Sequence, residues 1–210
     1  GTFSPVGLRG FDLAGKTLGV VGTGHIGAHI IRMAGGFGMK VVGFDAFPNQ
    51  DLSHTLNFSY TSLVDLLAQS DIITLHVPYN KDTHHLINKE NIGAIKKGAY
   101  LINTARGAVV ETDALVEALR SGIIAGAALD VLEEEGELND EAALLTAPHP
   151  NAEAIKVALE NHYLIEHPRV IVTPHLAFNT TEAVERILNT TIENIKSFDS
   201  GSPTNTVTSL

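Results

Sequence analysis

Five stretches of this 210-residue chain place chemically capable side chains after or at the end of short apolar runs. In LGVVGTGHIGAHI an apolar run leads into Gly22, Gly24 and Gly27 at G-x-G-x-x-G spacing, and then into a helical pattern. A glycine-rich turn of this kind lets backbone approach a pyrophosphate, whose charge is favoured by unpaired N–H groups at a helix start. The alternative is a tight strand-to-helix turn that holds nothing. The next apolar run, VVGFD, ends at Asp45, roughly 20 positions beyond the first glycine, where an acid accepts hydrogen bonds from the ribose hydroxyls of NAD and repels the extra phosphate of NADP. An aspartate is also a common strand-end turn residue. In LINTARG, Arg106 follows a third run and offers a planar fork of donors for a carboxylate, or pairs with one of the chain's many acids on the surface. GAALDVLEEE closes a fourth run with Asp130 and continues into Glu133, Glu134 and Glu135, none of which is singled out locally. In VIVTPHLAFNT, His175 follows an apolar run and a proline. Histidine is the side chain most easily poised for proton transfer near neutral pH, although one of ten histidines is more often structural or exposed.

The elements that must position these residues alternate between strand and helix. Strands are predicted at 17–21, 40–45, 72–76, 100–103, 124–130 and 170–173, and helices at 26–35, 62–69, 111–121 and 181–198, with a poorer one near 89–95. The central runs are apolar almost throughout, as suits strands covered on both faces. The pattern predicts an α/β fold, a Rossmann-type doubly wound parallel sheet with helices on both faces. In such a sheet ligands bind outside the carboxyl ends of the strands, which is where Asp45, Arg106, Asp130 and His175 fall. Residues 133–166, with an acidic cluster, Pro148, Pro150 and an amphipathic pattern, read as an excursion from the sheet.

Composition limits the partners. With 24 acidic and 14 basic residues the net charge is −10, so the surrounding field repels phosphate backbones and anionic lipid, and neither nucleic acid nor membrane is expected as a partner. No run reaches the length of a membrane-spanning helix, the first residues lack the build of a signal peptide, and the chain has no cysteine, which together suit the cytoplasm. GTFSPVGLRGFDLAGK has the Gly and Pro punctuation of a connecting segment, and Gly1 is no initiator methionine. Three parts are therefore expected: a connecting segment at 1–16, the dinucleotide-binding domain at 17–180, and a C-terminal helix and tail at 181–210.

GKTLGVVGTGHIG, the acid at Asp45, HVP at residues 76–78, THHLIN, LINTARG, ALDV with a glutamate five positions after its aspartate, and VTPHLAFNT occur in this order. In that set the chain resembles the D-isomer-specific 2-hydroxyacid dehydrogenases over nearly its whole length, with the nearest likeness to the D-lactate dehydrogenase branch. The resemblance implies NAD as cofactor and a 2-keto or 2-hydroxy acid as substrate. It implies Arg106 as the substrate-binding arginine, His175 as the catalytic acid–base, and Glu135 as the glutamate that orients the imidazole and raises its pKa toward or above neutrality. His25 and Ile26 would present backbone to the pyrophosphate. Val77, Pro78 and Thr83 would line the cofactor groove, Thr104 and Ala105 would sit on the nicotinamide side, and Asp130 would contact the nicotinamide end. Gly136 stands where the family commonly has proline, and residues 135–175 form a longer segment than usual; both bear on the loop carrying Glu135.

Family members also carry an N-terminal substrate domain, and the resemblance implies that it is absent here, so that these residues alone would bind NAD with little turnover. A homodimer is expected on the same ground. Relatives that act as NAD(H)-sensing corepressors offer a second reading, with residues 133–166 as a partner surface. Dehydrogenases for phosphoglycerate, glyoxylate or hydroxypyruvate, formate and phosphite remain open within the enzyme class.

Overall fold

A computed structural model of the chain describes residues 10–134 and 152–206. Its apolar runs become β1 (Thr17–Val21), β2 (Lys40–Phe44), β3 (Ser59–Tyr60), β4 (Ile72–Leu75), β5 (Ala99–Asn103), β6 (Ile124–Leu129) and β7 (Val170–Val172). They join in one parallel sheet ordered β3-β2-β1-β4-β5-β6-β7. The order reverses between β1 and β4, and that reversal opens a crevice at the carboxyl edge. Helices α1 (His25–Gly36), α2 (Gln50–Leu56), α3 (Leu63–Gln69), α4 (Thr112–Ser121) and α5 (Ala152–Glu166) complete this unit, which ends at Pro174. A second compact unit begins at His175 and holds α6 (Thr181–Asp199). Among the described residues no helix is long and apolar enough to cross a membrane.

The strands carry few polar residues because both faces of the sheet are covered. On one face Ile31 and Ala34 of α1, with Phe58, pack on Leu18, Val20 and Ile72. On the other, Leu66 and Leu67 of α3, Leu115 and Leu119 of α4 and Leu164 of α5 enclose Val21, Leu75, Leu101 and Leu129.

The helix predicted near 89–95 is only a 3-10 turn at Ile92–Ala94. Asparagine side chains divert the backbone there: Asn88 Nδ2 donates to the His85 carbonyl, Asn91 Nδ2 donates to the Leu86 carbonyl, and Asn91 Oδ1 accepts from the Asn88 N–H. Bonds of this kind compete with the helical ladder. Part of the predicted 133–166 excursion is the regular helix α5, whose Ala154, Val157, Asn161 and Leu164 are buried at helical spacing. Helix α2 and strand β3 were not foreseen. They depend on the Asn49 side chain accepting from the Leu52 N–H, and on Phe58, which is buried edge-on against Tyr60.

Candidate functional site: a glycine-lined cleft at the carboxyl edge

Register brings the candidate residues into one row. Val21 is level with Phe44 and Leu75, Leu75 with Asn103, Asn103 with Leu129, and Leu129 with Val172. The residues that follow these strand ends, among them Gly22, Asp45, His76, Thr104 and Asp130, therefore share the carboxyl edge.

The three glycines of the turn have different reasons to be glycine. Gly22 has φ of +90°, and a Cβ on it would lie 2.7 Å from the His76 carbonyl. Gly27 packs α1 onto the first strand, and a Cβ there would overlap the Gly22 carbonyl oxygen. Gly24 is exposed, and a Cβ on it would meet no protein atom within 4 Å. Sterics of the fold explain the first and third; only space left for something else explains Gly24. Helix α1 begins there with no side-chain cap and no acid in its first turn, whereas Asn49 caps α2 and Ser62 caps α3. Its first N–H groups are left for a ligand, and the helix dipole favours an anionic one.

Asp45 follows β2. Its Oδ2 accepts from the Thr23 N–H at 2.7 Å and the Thr23 hydroxyl at 2.9 Å, and its Oδ1 accepts from the Phe47 N–H at 2.9 Å. Partial burial opposes ionisation, but the bonds from Phe47 and Thr23 outweigh it and hold the carboxyl below its ordinary range. Asp45 is thus both a turn residue and an ionised acceptor with lone pairs to spare for ribose hydroxyls.

A cleft of about 590 Å³ opens beside this turn, lined by residues 24–26, 76–79 and 104–106. Thr83 is not one of its lining residues. Its hydroxyl donates to the Pro78 carbonyl at 2.6 Å and accepts from the Asn80 N–H at 2.9 Å, so it pins the loop that carries Val77 and Pro78. His76 meets the Thr74 hydroxyl at 3.0 Å through Nε2, and burial pushes its imidazole down to about 4, so this wall is neutral at pH 7.

Arg106 stands at the cleft's lip in extended backbone, exposed, with Nη1 donating to the Ala105 carbonyl at 2.6 Å. Buried Asn103 shapes that loop: its Oδ1 accepts from the Ala105 N–H and its Nδ2 donates to the Arg106 carbonyl. Asp130 is buried, tied through its N–H to the Asn103 carbonyl and through Oδ1 to the Thr173 hydroxyl. His175 opens the second unit, exposed, with φ of +49° and its ring edge-on to Phe178. Glu135 lies outside the described residues.

The chain matches the family model described as "D-isomer specific 2-hydroxyacid dehydrogenase, NAD binding domain" over residues 1–177. It belongs to that family. An aromatic 2-oxoacid reductase of Clostridium sporogenes is 40% identical over 199 residues, covering 94% of this chain and 57% of that protein. A D-lactate dehydrogenase of Treponema pallidum is 42% identical over 177 residues, covering 84% of this chain and 50% of that protein. The solved D-lactate dehydrogenase of Aquifex aeolicus, complexed with NAD and lactic acid, superposes with a TM-score of 0.82 at 40% identity, covering 96% of this chain and 58% of that one. The chain thus spans little more than half the length of these relatives. NAD is the family's cofactor, and the open approach to Gly24, the uncapped α1 and the ionised Asp45 all fit it.

The row contains one pair whose role was not legible in the sequence. Glu133 is tied down on both carboxylate oxygens: Oε1 meets His85 Nε2 at 2.5 Å, and Oε2 accepts from the Thr112 hydroxyl at 2.8 Å and the Thr112 N–H at 3.1 Å. Burial opposes its ionisation, yet the bonds from His85 and Thr112 keep its carboxyl below the ordinary range. THHLIN and EEE were visible as motifs; their pairing needed the fold.

Proposed function

We propose that these residues serve an NAD-dependent D-2-hydroxyacid dehydrogenase that interconverts a 2-keto acid and a D-2-hydroxy acid of the lactate type. The observation that carries this reading is Arg106, a cation at the lip of the cleft that the glycine turn borders. Gly22, Gly24, Gly27 and the N–H groups of His25 and Ile26 would hold the pyrophosphate, and Asp45 the adenosine ribose. Val77, Pro78, Thr104 and Ala105 would border the groove toward the nicotinamide, with Asp130 at its far end and Thr83 acting through the loop it pins. Bound NAD supplies or accepts the hydride exchanged with the substrate's C2 carbon. Arg106 takes the substrate carboxylate in its guanidinium fork and polarises the neighbouring carbonyl, so that charge developing on oxygen meets a preplaced cation. His175 gives the proton to that oxygen in reduction and, neutral, removes it in oxidation. Glu135 favours the charged imidazole by opposite charge. A homodimer and a cytoplasmic location belong to the same proposal, and light scattering and cell fractionation test them.

A panel of 2-keto acids on the full-length protein, with NADH and NADPH side by side and chiral analysis of the product, tests the proposal. The expected result is a D product formed with NADH preferred. An L product, or a preference for NADPH, overturns it. Tight NADH binding without turnover of any 2-keto acid favours a nucleotide-sensing protein instead.

A further inference from the structure

We infer that Glu133 and His85 are positioning residues for Arg106: together they clamp the backbone on which the Arg106 loop is seated. The inference rests on the reading of Arg106 as the carboxylate-binding group. Gly107, the next residue, is pressed so closely on the Leu132–Glu133 peptide that a Cβ would overlap the Leu132 carbonyl. Whatever holds that peptide therefore holds Arg106. Glu133 holds it from three sides. Its Oε1 meets His85 Nε2 at 2.5 Å, its Oε2 accepts from the first N–H and the hydroxyl of α4 at Thr112, and its main-chain carbonyl accepts from Asn161 Nδ2 of α5 at 2.7 Å. His85 closes the circuit, since its N–H donates to the Ala108 carbonyl at 2.8 Å in the 3-10 turn that follows Arg106. The Arg106 loop is thus tied to one clamp twice, through Gly107 against Leu132 and through Ala108 to His85.

Two further observations favour a clamp over an incidental ion pair. His85 and Glu134 both adopt left-handed backbone, with φ of +47° and +58°, and non-glycine residues keep such conformations only where their surroundings enforce them. The pair is also largely withdrawn from water, the Glu133 side chain being 11% exposed and that of His85 30%. A pair partly withdrawn from water adds little to stability compared with apolar packing, and fixing geometry is the better-attested use of one. His85 stacks on His84 at 3.8 Å between ring centroids, and His84 meets Tyr79, which lines the cleft, so the clamp is continuous with the cleft wall on that side too.

The test uses Glu133→Gln, which keeps an acceptor for Thr112, together with His85→Ala and His85→Gln, the latter keeping a donor for Glu133. For each, amide hydrogen exchange over residues 104–112, NADH affinity and 2-keto acid kinetics are measured. Glu133→Gln and His85→Ala are expected to speed exchange in that segment by about tenfold and raise KM for the keto acid by about tenfold, with NADH affinity within about threefold and His85→Gln restoring part of the loss. Unchanged exchange at 104–112 overturns the inference. So does exchange that rises across the whole sheet together with lost NADH binding, since the pair would then be general support. If the full-length wild-type protein turns over no 2-keto acid, the proposed function fails while the exchange measurement still decides the clamp.

Discussion

Gly24 and Gly27 sit three residues apart in one motif, yet alanine at each should fail differently. A Cβ at Gly27 would overlap the Gly22 carbonyl oxygen, which is backbone directly after β1, so the strand end or α1 must shift. Overpacking of that kind costs about 2–3 kcal/mol. For a chain of this size that is a fall in Tm of about 6–10 °C. At Gly24 a Cβ meets nothing within 4 Å, and the backbone, with φ of −64° and ψ of −161°, suits any residue. The cost to the fold is only the poorer helix start, under about 1 kcal/mol. The methyl instead projects from the cleft wall, where it keeps a pyrophosphate off the N–H groups of α1. Weakening charge-assisted bonds there by about 2 kcal/mol raises the Kd for NADH about 30-fold. Calorimetric titration with NADH beside a thermal melt separates the cases: Gly24→Ala should lose affinity and keep its Tm to within about 4 °C, and Gly27→Ala should lose Tm first. If Gly24→Ala binds NADH like the wild type, the glycine turn does not hold the pyrophosphate.

Asp45→Ser removes the charge that repels a 2′-phosphate, so the preference for NADH over NADPH should shrink by about tenfold in paired titrations; it also loses the bonds to Thr23, and Tm should fall by a few degrees. His76 titrates at about 4 when folded and near 6.5 when unfolded, so between those values the unfolded chain binds the extra proton. Its contribution to stability is complete above about pH 6.5 and fades as pH falls toward 4, by about 2 kcal/mol after allowing for the part of the ring that water reaches. Urea midpoints at pH 7, 5.5 and 4 for wild type and His76→Gln check this, the variant losing less. Asn103→Ala leaves the Ala105 N–H and the Arg106 carbonyl without their partner beside a buried side chain. It should cost about 2 kcal/mol and raise the keto acid KM more than the NADH Kd.

Most of the sheet was legible because its strands are apolar on both faces, and because glycine, aspartate and arginine stand directly behind the apolar runs. Asp45 shows where such reading stops: its position pointed to ribose, but that the same carboxylate also fastens Thr23 needed the register of β1 and β2. Helix α2 was missed because QDLSHTLNFSY owes its order to one asparagine cap and one buried ring rather than to periodicity. Glu133 stands in a run of three glutamates, and its tie to His85 beside the packing of Gly107 on Leu132 becomes visible only in the fold. Thr83, expected at the groove, also pins the loop that carries Val77 and Pro78, a bond that spacing alone does not reveal.

Arg106 is the group proposed to take the substrate carboxylate. The most direct measurement is kcat/KM for 2-keto acid reduction by Arg106→Gln, with NADH affinity determined on the same sample. Loss of a bidentate charged contact predicts a fall of about a thousandfold with the NADH Kd within about threefold of wild type. A kcat/KM within about tenfold of wild type, or a loss of NADH binding equal to the loss of activity, would contradict the account.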